Sequence, residues 1–352
     1  MFCWRLAMEG KLLTNFIWRL IIYKMRDFSP RDISKTSGAA TGYVKVDTCL
    51  VLQFHRVSSL CFDPLQLAVE PYNFEKQIEY LAQNYNVISI DRMKHHLENS
   101  QPFKDKTILL TFDGGYKDVL YTAKQVLQKY EVPAVVFTST ARIIEGGRFW
   151  WKELEDFLIA NDFGGQLELE IDYTLREWPL KTQLDRFRAY EELYSILSDK
   201  TPSEQREIIG QITGSLDLRA EEFDNYGTMS AQELRKIEEG GLITIGGHTH
   251  SYVKLSSLPK CEQAVEIWKN KKVLEEITEH DIEYFSYPFS CGSGYTTETI
   301  DILENNGFSL ACSGSYGTVS VAGQTGRYEL PRVKVGNWNV FTFYRFLRRF
   351  FD

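Results

Sequence analysis

Asp113 is a lone carboxylate at the end of the apolar run Thr107-Ile108-Leu109-Leu110-Thr111-Phe112, and Gly114-Gly115-Tyr116 follow at once. The two glycines free the backbone to take unusual angles or to approach a ligand closely. An acid at the carboxyl end of a buried strand is where α/β enzymes keep their chemistry. The same residues also suit a plain turn in which Asp113 only caps the next helix. A second stretch repeats the design: Leu242-Ile243-Thr244-Ile245 runs through Gly246-Gly247 into His248-Thr249-His250-Ser251-Tyr252.

Further on come Tyr284-Phe285-Ser286-Tyr287-Pro288-Phe289 and Leu330-Pro331-Arg332-Val333. In this order the four stretches resemble the polysaccharide deacetylase family of carbohydrate esterases, the NodB-homology group, from about Val51 to the C-terminus. The resemblance implies a distorted (β/α) barrel of the α/β class with its site at the carboxyl ends of the strands. It also implies hydrolysis of the N-acyl amide of an amino sugar or a related small amide. Such hydrolysis needs a polarised carbonyl, an activated water and a protonated leaving amine.

By resemblance Asp113 is the general base, Arg332 orients it and keeps it ionised, and His248 falls on the first metal histidine. The family places a metal aspartate next to the base and a second metal histidine four residues after the first. Here those positions are Gly114 and Tyr252, so two of the three protein ligands of the divalent metal are missing. His250 and Asp118 lie nearby but lack the family spacing. The expectation is therefore no bound cofactor, with a metal such as zinc held only if other ligands converge.

The backbone N–H of Phe289 would help form an oxyanion hole, which depends on backbone position more than on side chain. Tyr287-Pro288-Phe289 reads equally well as a strand end packed in the core. His55, which ends the first strand, is the candidate for acid or substrate ligand, or else a buried structural histidine. Trp150, Trp151 and Trp338 are candidate stacking platforms for sugar rings.

The elements that must position these residues follow from periodicity. Val44 to Phe54 reads as the first strand, Phe74 to Gln83 as a helix, Asn86 to Ile90 as a strand, and Met93 to Glu98 as a helix. After Asp113 come a helix to Tyr130 and the strand Ala134-Val135-Val136-Phe137. Strand-helix alternation then breaks over about 142–229, read as a mainly helical insertion with strand character only at Leu167 to Tyr173. It resumes with a helix from Ala231, capped by Ser230, and with the strand leading to His248. The barrel domain is thus placed at 44–352 and an N-terminal amphipathic segment with its linker at 1–43.

Within that segment Arg19 and Lys24 interrupt the apolar face well short of the ~20 residues that span a bilayer, and Arg19 also argues against a signal peptide. It reads as a helix packed on the domain or lying on a membrane surface. The 6 cysteines are widely spaced and read as reduced thiols, so a cytoplasmic location is expected, with membrane association through the N-terminal segment as the variant.

The chain has 352 residues, 43% of them hydrophobic, which is enough for a large core. Its net charge of -8 argues against a nucleic-acid partner and suits a neutral or cationic substrate. Three functions stay open: a hydrolase working with Asp113, His248 and His55, a non-catalytic carbohydrate-binding protein on the same scaffold, and a structural or membrane-associated partner protein using the basic aromatic ends, the C-terminal one carrying Arg345, Arg348 and Arg349.

Overall fold

The computed structural model describes residues 47–60, 62–159, 165–213, 227–289, 294–323 and 325–351. The amphipathic segment and linker expected at 1–43 lie outside the described residues. Nine strands form the main sheet: β1 (Thr48–Phe54), β2 (Asn86–Val87), β3 (Thr107–Asp113), β4 (Ala134–Thr138), β5 (Ile243–Gly247), β6 (Tyr284–Ser286), β7 (Leu310–Cys312), β8 (Val319–Ser320) and β9 (Val333–Lys334). The order β7-β6-β5-β4-β3-β1 is parallel throughout. The short β8 runs antiparallel to the start of β1. One segment then joins the two ends of this row. Leu330 bridges Cys312 of β7, and three residues later Val333 pairs with Leu52 of β1, so Leu330 to Lys334 closes a distorted barrel.

Strands buried on both faces read as continuous apolar runs, and β3, TILLTFD, is buried at every position. Side chains alternate between two cores. Leu50, Leu52, Ile108 and Leu110 face the helices, whereas Cys49, Val51 and Leu109 belong to a smaller cluster with Phe137 and Cys312. Counting by twos along that second face leads from Leu109 through Thr111 to Asp113, and from Val51 to Gln53. The polar ends of β1 and β3 therefore crown the same column.

The helices are α1 (Pro71–Asn84), α2 (Ile90–Glu98), α3 (Lys124–Lys129), α4 (Ala141–Glu145), α5 (Trp150–Leu158), α6 (Gln183–Ser198), α7 (Pro202–Thr213), α8 (Ala231–Glu238), α9 (Lys260–Thr278), α10 (Thr297–Asn305) and α11 (Val340–Phe351). A wider π-turn, Val119–Ala123, leads into α3. The strand expected from Asn86 to Ile90 stops at Val87, because the Ser89 hydroxyl accepts from the Arg92 N–H and starts α2 there. Ser230 caps α8 through a reciprocal box with Glu233.

Between α5 and α6 lies an antiparallel hairpin, Gln166–Ile171 with Thr174–Pro179. Its first arm alternates in burial and was readable. The second buries only Trp178, leaving no period to read. Apolar residues of this region, such as Leu154, Tyr190 and Ile208, join the same core as Phe54 and Phe112.

The C-terminal helix α11 docks through Phe343 and Leu347, both fully buried, while Tyr344 and Phe351 pack on Tyr80 and Tyr85. No helix among the described residues is long and apolar enough to cross a membrane.

Candidate active site

The barrel closure carries Arg332 to the crown of β3. Its guanidinium donates two parallel hydrogen bonds to Asp113, Nη1 to Oδ1 at 2.7 Å and Nη2 to Oδ2 at 2.8 Å. Both residues are 2% exposed. Arg332 Nε donates to the Ser313 carbonyl at 2.9 Å, and Nη2 also reaches the Ser286 hydroxyl at 2.8 Å. Gln53 Nε2 donates to Asp113 Oδ2 at 2.8 Å from the neighbouring strand. Burial, the largest single influence, would raise the Asp113 carboxyl, but the charge and hydrogen bonds of Arg332 together with the fields of His248 and His55 outweigh it and hold the group well below the usual carboxylate range. Asp113 is thus ionised and oriented.

His248 follows β5 and is completely buried. Its backbone N–H donates to Asn270 Oδ1 of α9 at 3.0 Å. Gly247 makes room for that amide, since a Cβ there would stand 2.6 Å from the same oxygen. The ring Nδ1 lies 2.7 Å from the Ser286 carbonyl. A carbonyl only accepts, so Nδ1 carries the proton and Nε2 keeps its lone pair. Nε2 is buried and has no hydrogen-bond partner among the described residues. Burial lowers the imidazole to about 4, against a smaller upward pull from Asp113, so the ring is neutral at pH 7.

Aromatic rings occupy the ground where further ligands would stand. Gly114 sits at φ +102°, and a Cβ added there would lie 2.6 Å from Cε2 of Tyr116. Arg56 lies over the Tyr116 ring at 4.7 Å and is itself held by Asp118 at 2.8 Å. The Tyr252 ring meets His248 edge-on at 4.5 Å and packs on Trp151 at 4.6 Å and Phe149 at 4.9 Å. Burial pushes the Tyr252 phenol well above its ordinary value, which keeps it a neutral, poor ligand. Asp113 already has both oxygens engaged, and the described residues contain no group of three His, Cys, Asp or Glu able to hold an ion. This donor set does not fit a divalent metal at the family position.

The structure brings Asp113, His248 and Arg332 together, with His55 in their field. Burial lowers the His55 imidazole to about 3; Asp113 opposes this, while Lys334, Arg332 and His248 add to it. Phe289 borders the aromatic cluster, 5.5 Å from Tyr252 and 6.1 Å from Trp151. Tyr287 is 1% exposed, its hydroxyl donates to the Tyr328 carbonyl and its ring stacks on Tyr295; with the buried Pro288 it forms a packed strand end with no face for a substrate.

Trp150 and Trp151 are each 4% exposed and face other rings, so neither presents a platform to solvent. Trp338 packs on Phe346 of α11. His250 is tied to Thr140 and Asp118 to Arg56 and the Val57 N–H, so neither supplies the missing ligands.

Three participants escaped the reading by motif: Gln53, Tyr116 and Asn270. Gln53 left a signal, being the one amide in the apolar strand TCLVLQF. Asn270 lies on a helix whose polar residues give no sign of which one turns inward. Tyr116 follows the glycines, but nothing in sequence shows that its ring turns back over them.

The polysaccharide deacetylase family model matches residues 100–161 and 192–311. Among curated proteins, the poly-β-1,6-N-acetyl-D-glucosamine N-deacetylase of Escherichia coli K12 is 26% identical over 87 residues, 24% of this chain and only 13% of that protein's length. Among solved structures, the Streptococcus pyogenes deacetylase PplD aligns with a TM-score of 0.57 at 15% identity, covering 86% of this chain and 98% of that one. IcaB from Ammonifex degensii aligns with a TM-score of 0.54 at 18% identity, covering 86% and 96%. These structural likenesses concern the fold. With a matching family model over more than half its length, and with Asp113, His248 and Arg332 on the ends of a parallel barrel, the chain belongs to the polysaccharide deacetylase family.

Proposed function

We propose that this protein recognises a polysaccharide of N-acylated amino sugars through a deacetylase scaffold whose metal-dependent chemistry has been lost. One observation carries the reading: the Tyr116 ring takes the volume that a metal-binding side chain at position 114 would need, and Tyr252 covers His248 beside it. A metal contributes several kcal/mol to the transition state of amide hydrolysis, and each ~1.4 kcal/mol is tenfold in rate. A site with the base alone is then slower by several powers of ten. The name of the curated relative makes β-1,6-linked N-acetylglucosamine oligosaccharide the first probe.

A second reading, a slow metal-independent hydrolase, is favoured by the unmet lone pair of His248 Nε2. A buried acceptor left without a donor costs about 1–3 kcal/mol, a debt that a substrate N–H or a water would relieve. In that mechanism Asp113, kept ionised by Arg332, takes a proton from the attacking water and returns it to the leaving amine, the Phe289 N–H meets the oxyanion, and His55 or His248 accepts from a substrate N–H.

The test is oligosaccharide binding by calorimetry, run beside an acetate-release assay with and without added zinc or cobalt. Binding without release supports the first reading. Release that is insensitive to chelator and lost in Asp113→Asn supports the second, and metal-stimulated release overturns both.

A further inference from the structure

Outside the Asp113 centre a cavity of 270 Å³ lies between α4, α5 and α7. Its lining is unlike the aromatic plug. Arg142 and Glu145 come from α4, Trp150 and Glu153 from α5, and Arg206 and Gly210 from α7. We propose that this cleft binds one or two neutral, hydroxyl-rich sugar units, at a place distinct from the former catalytic centre. Neither Asp113 nor His248 lines it, although Phe149, which packs on Tyr252, contributes to its wall.

The chemistry of the lining selects the class. Two guanidinium groups and two carboxylates are balanced in charge, with Glu153 in the field of Arg142. An anion would meet two glutamates and a cation two arginines. A sugar would meet planar donors and acceptors whose paired geometry matches vicinal hydroxyls. The volume falls just below the ~300–1,000 Å³ usual for small-molecule sites, which suits a mono- or disaccharide.

Gly210 gives the cavity part of its room. It lies within a helix, where glycine costs roughly 0.5–1 kcal/mol relative to alanine, and a Cβ added there meets nothing within 4 Å. A side chain at 210 would start from the lining of the cleft with no clash at its Cβ.

This inference rests on the carbohydrate reading above, and the experiment separates their failures. Tryptophan fluorescence would follow titration of the protein with a neutral N-acetylglucosamine tetrasaccharide, then with a glucosamine and a hexuronate oligosaccharide. Gly210→Ala is expected to bind as the unmodified protein does. Gly210→Phe and Arg142→Ala/Arg206→Ala are expected to bind about tenfold more weakly or worse, with unfolding midpoints confirming that each variant is folded. Equal binding by the unmodified protein and Gly210→Phe would overturn the cleft and leave the carbohydrate reading intact. Binding of only a charged oligosaccharide would overturn the ligand class. Failure to bind any of the three would overturn both proposals.

Discussion

Replacing Arg332 by methionine removes the guanidinium while keeping most of its length. The Asp113 carboxylate, 2% exposed, would then keep only the Gln53 amide and the more distant Ser286 hydroxyl at 3.4 Å as donors. Breaking a buried ion pair from one side costs about 3–5 kcal/mol, because the remaining charge stays desolvated. That is a large share of the ~5–15 kcal/mol by which domains are stable. Asp113→Asn leaves the opposite orphan, whereas Asp113→Asn/Arg332→Met removes both charges and should cost less than the sum of the single changes by about 2 kcal/mol or more.

Urea unfolding followed by tryptophan fluorescence measures all three variants at pH 7. The pH dependence has a definite sign. Asp113 has a depressed folded pKa, so its contribution is present above the ordinary unfolded value of ~4 and is lost as pH falls below that value toward the folded one. The gap between the unmodified protein and Arg332→Met should therefore narrow in strong acid. A loss below ~1 kcal/mol at pH 7, or strict additivity in the double variant, would refute the buried-pair account.

Gly114→Asp alone should destabilise the fold by about 2–5 kcal/mol, because it combines a strained positive φ with a clash against the Tyr116 ring. Adding Tyr116→Ala should recover part of that in the same unfolding assay. His55 and His248 are buried neutral, with folded values of about 3 and about 4 against an unfolded ~6.5. Stability should be steady above pH 6.5 and fall by about 1.4 kcal/mol per pH unit for each histidine as pH drops toward 4. Unfolding midpoints between pH 7 and 5 check this, and an NMR titration showing His248 protonating near 6.5 would contradict it. Phe343→Ala, which empties a fully buried contact under α11, should cost about 3–5 kcal/mol in thermal or urea unfolding, far more than Phe341→Ala on the exposed face.

The barrel was legible because its strands are apolar runs, those of β3 and β5 leading into glycine pairs, and because period two carries Leu109 to Thr111 to Asp113 on one face. The charged half of the site was legible in part for the same reason: Asp113 and His248 each end or follow such a run, and parallel strands bring their ends to one side, whereas Arg332 lies just ahead of β9 and reaches the site through the closing segment. The aromatic filling was not legible. Whether Trp150 and Trp151 face solvent or other rings depends on how the inserted helices dock, which no local period encodes. The turn of the Tyr116 ring over Gly114 depends on Arg56 and Asp118, the former sixty residues upstream of the ring. Motif substitution revealed the missing ligands, whereas only coordinates reveal what replaced them.

The central claim is that aromatic packing has taken the place of the metal, and metal content tests it most directly. Unmodified protein and Gly114→Asp/Tyr116→Ala/Tyr252→His would be equilibrated with zinc, freed of excess by gel filtration and assayed by elemental analysis, with His248→Ala as a control. The account predicts no retained zinc in the unmodified protein and about one equivalent in the triple variant, whose aspartate and two histidines restore three converging ligands. One equivalent of zinc in the unmodified protein, lost on His248→Ala, would contradict it.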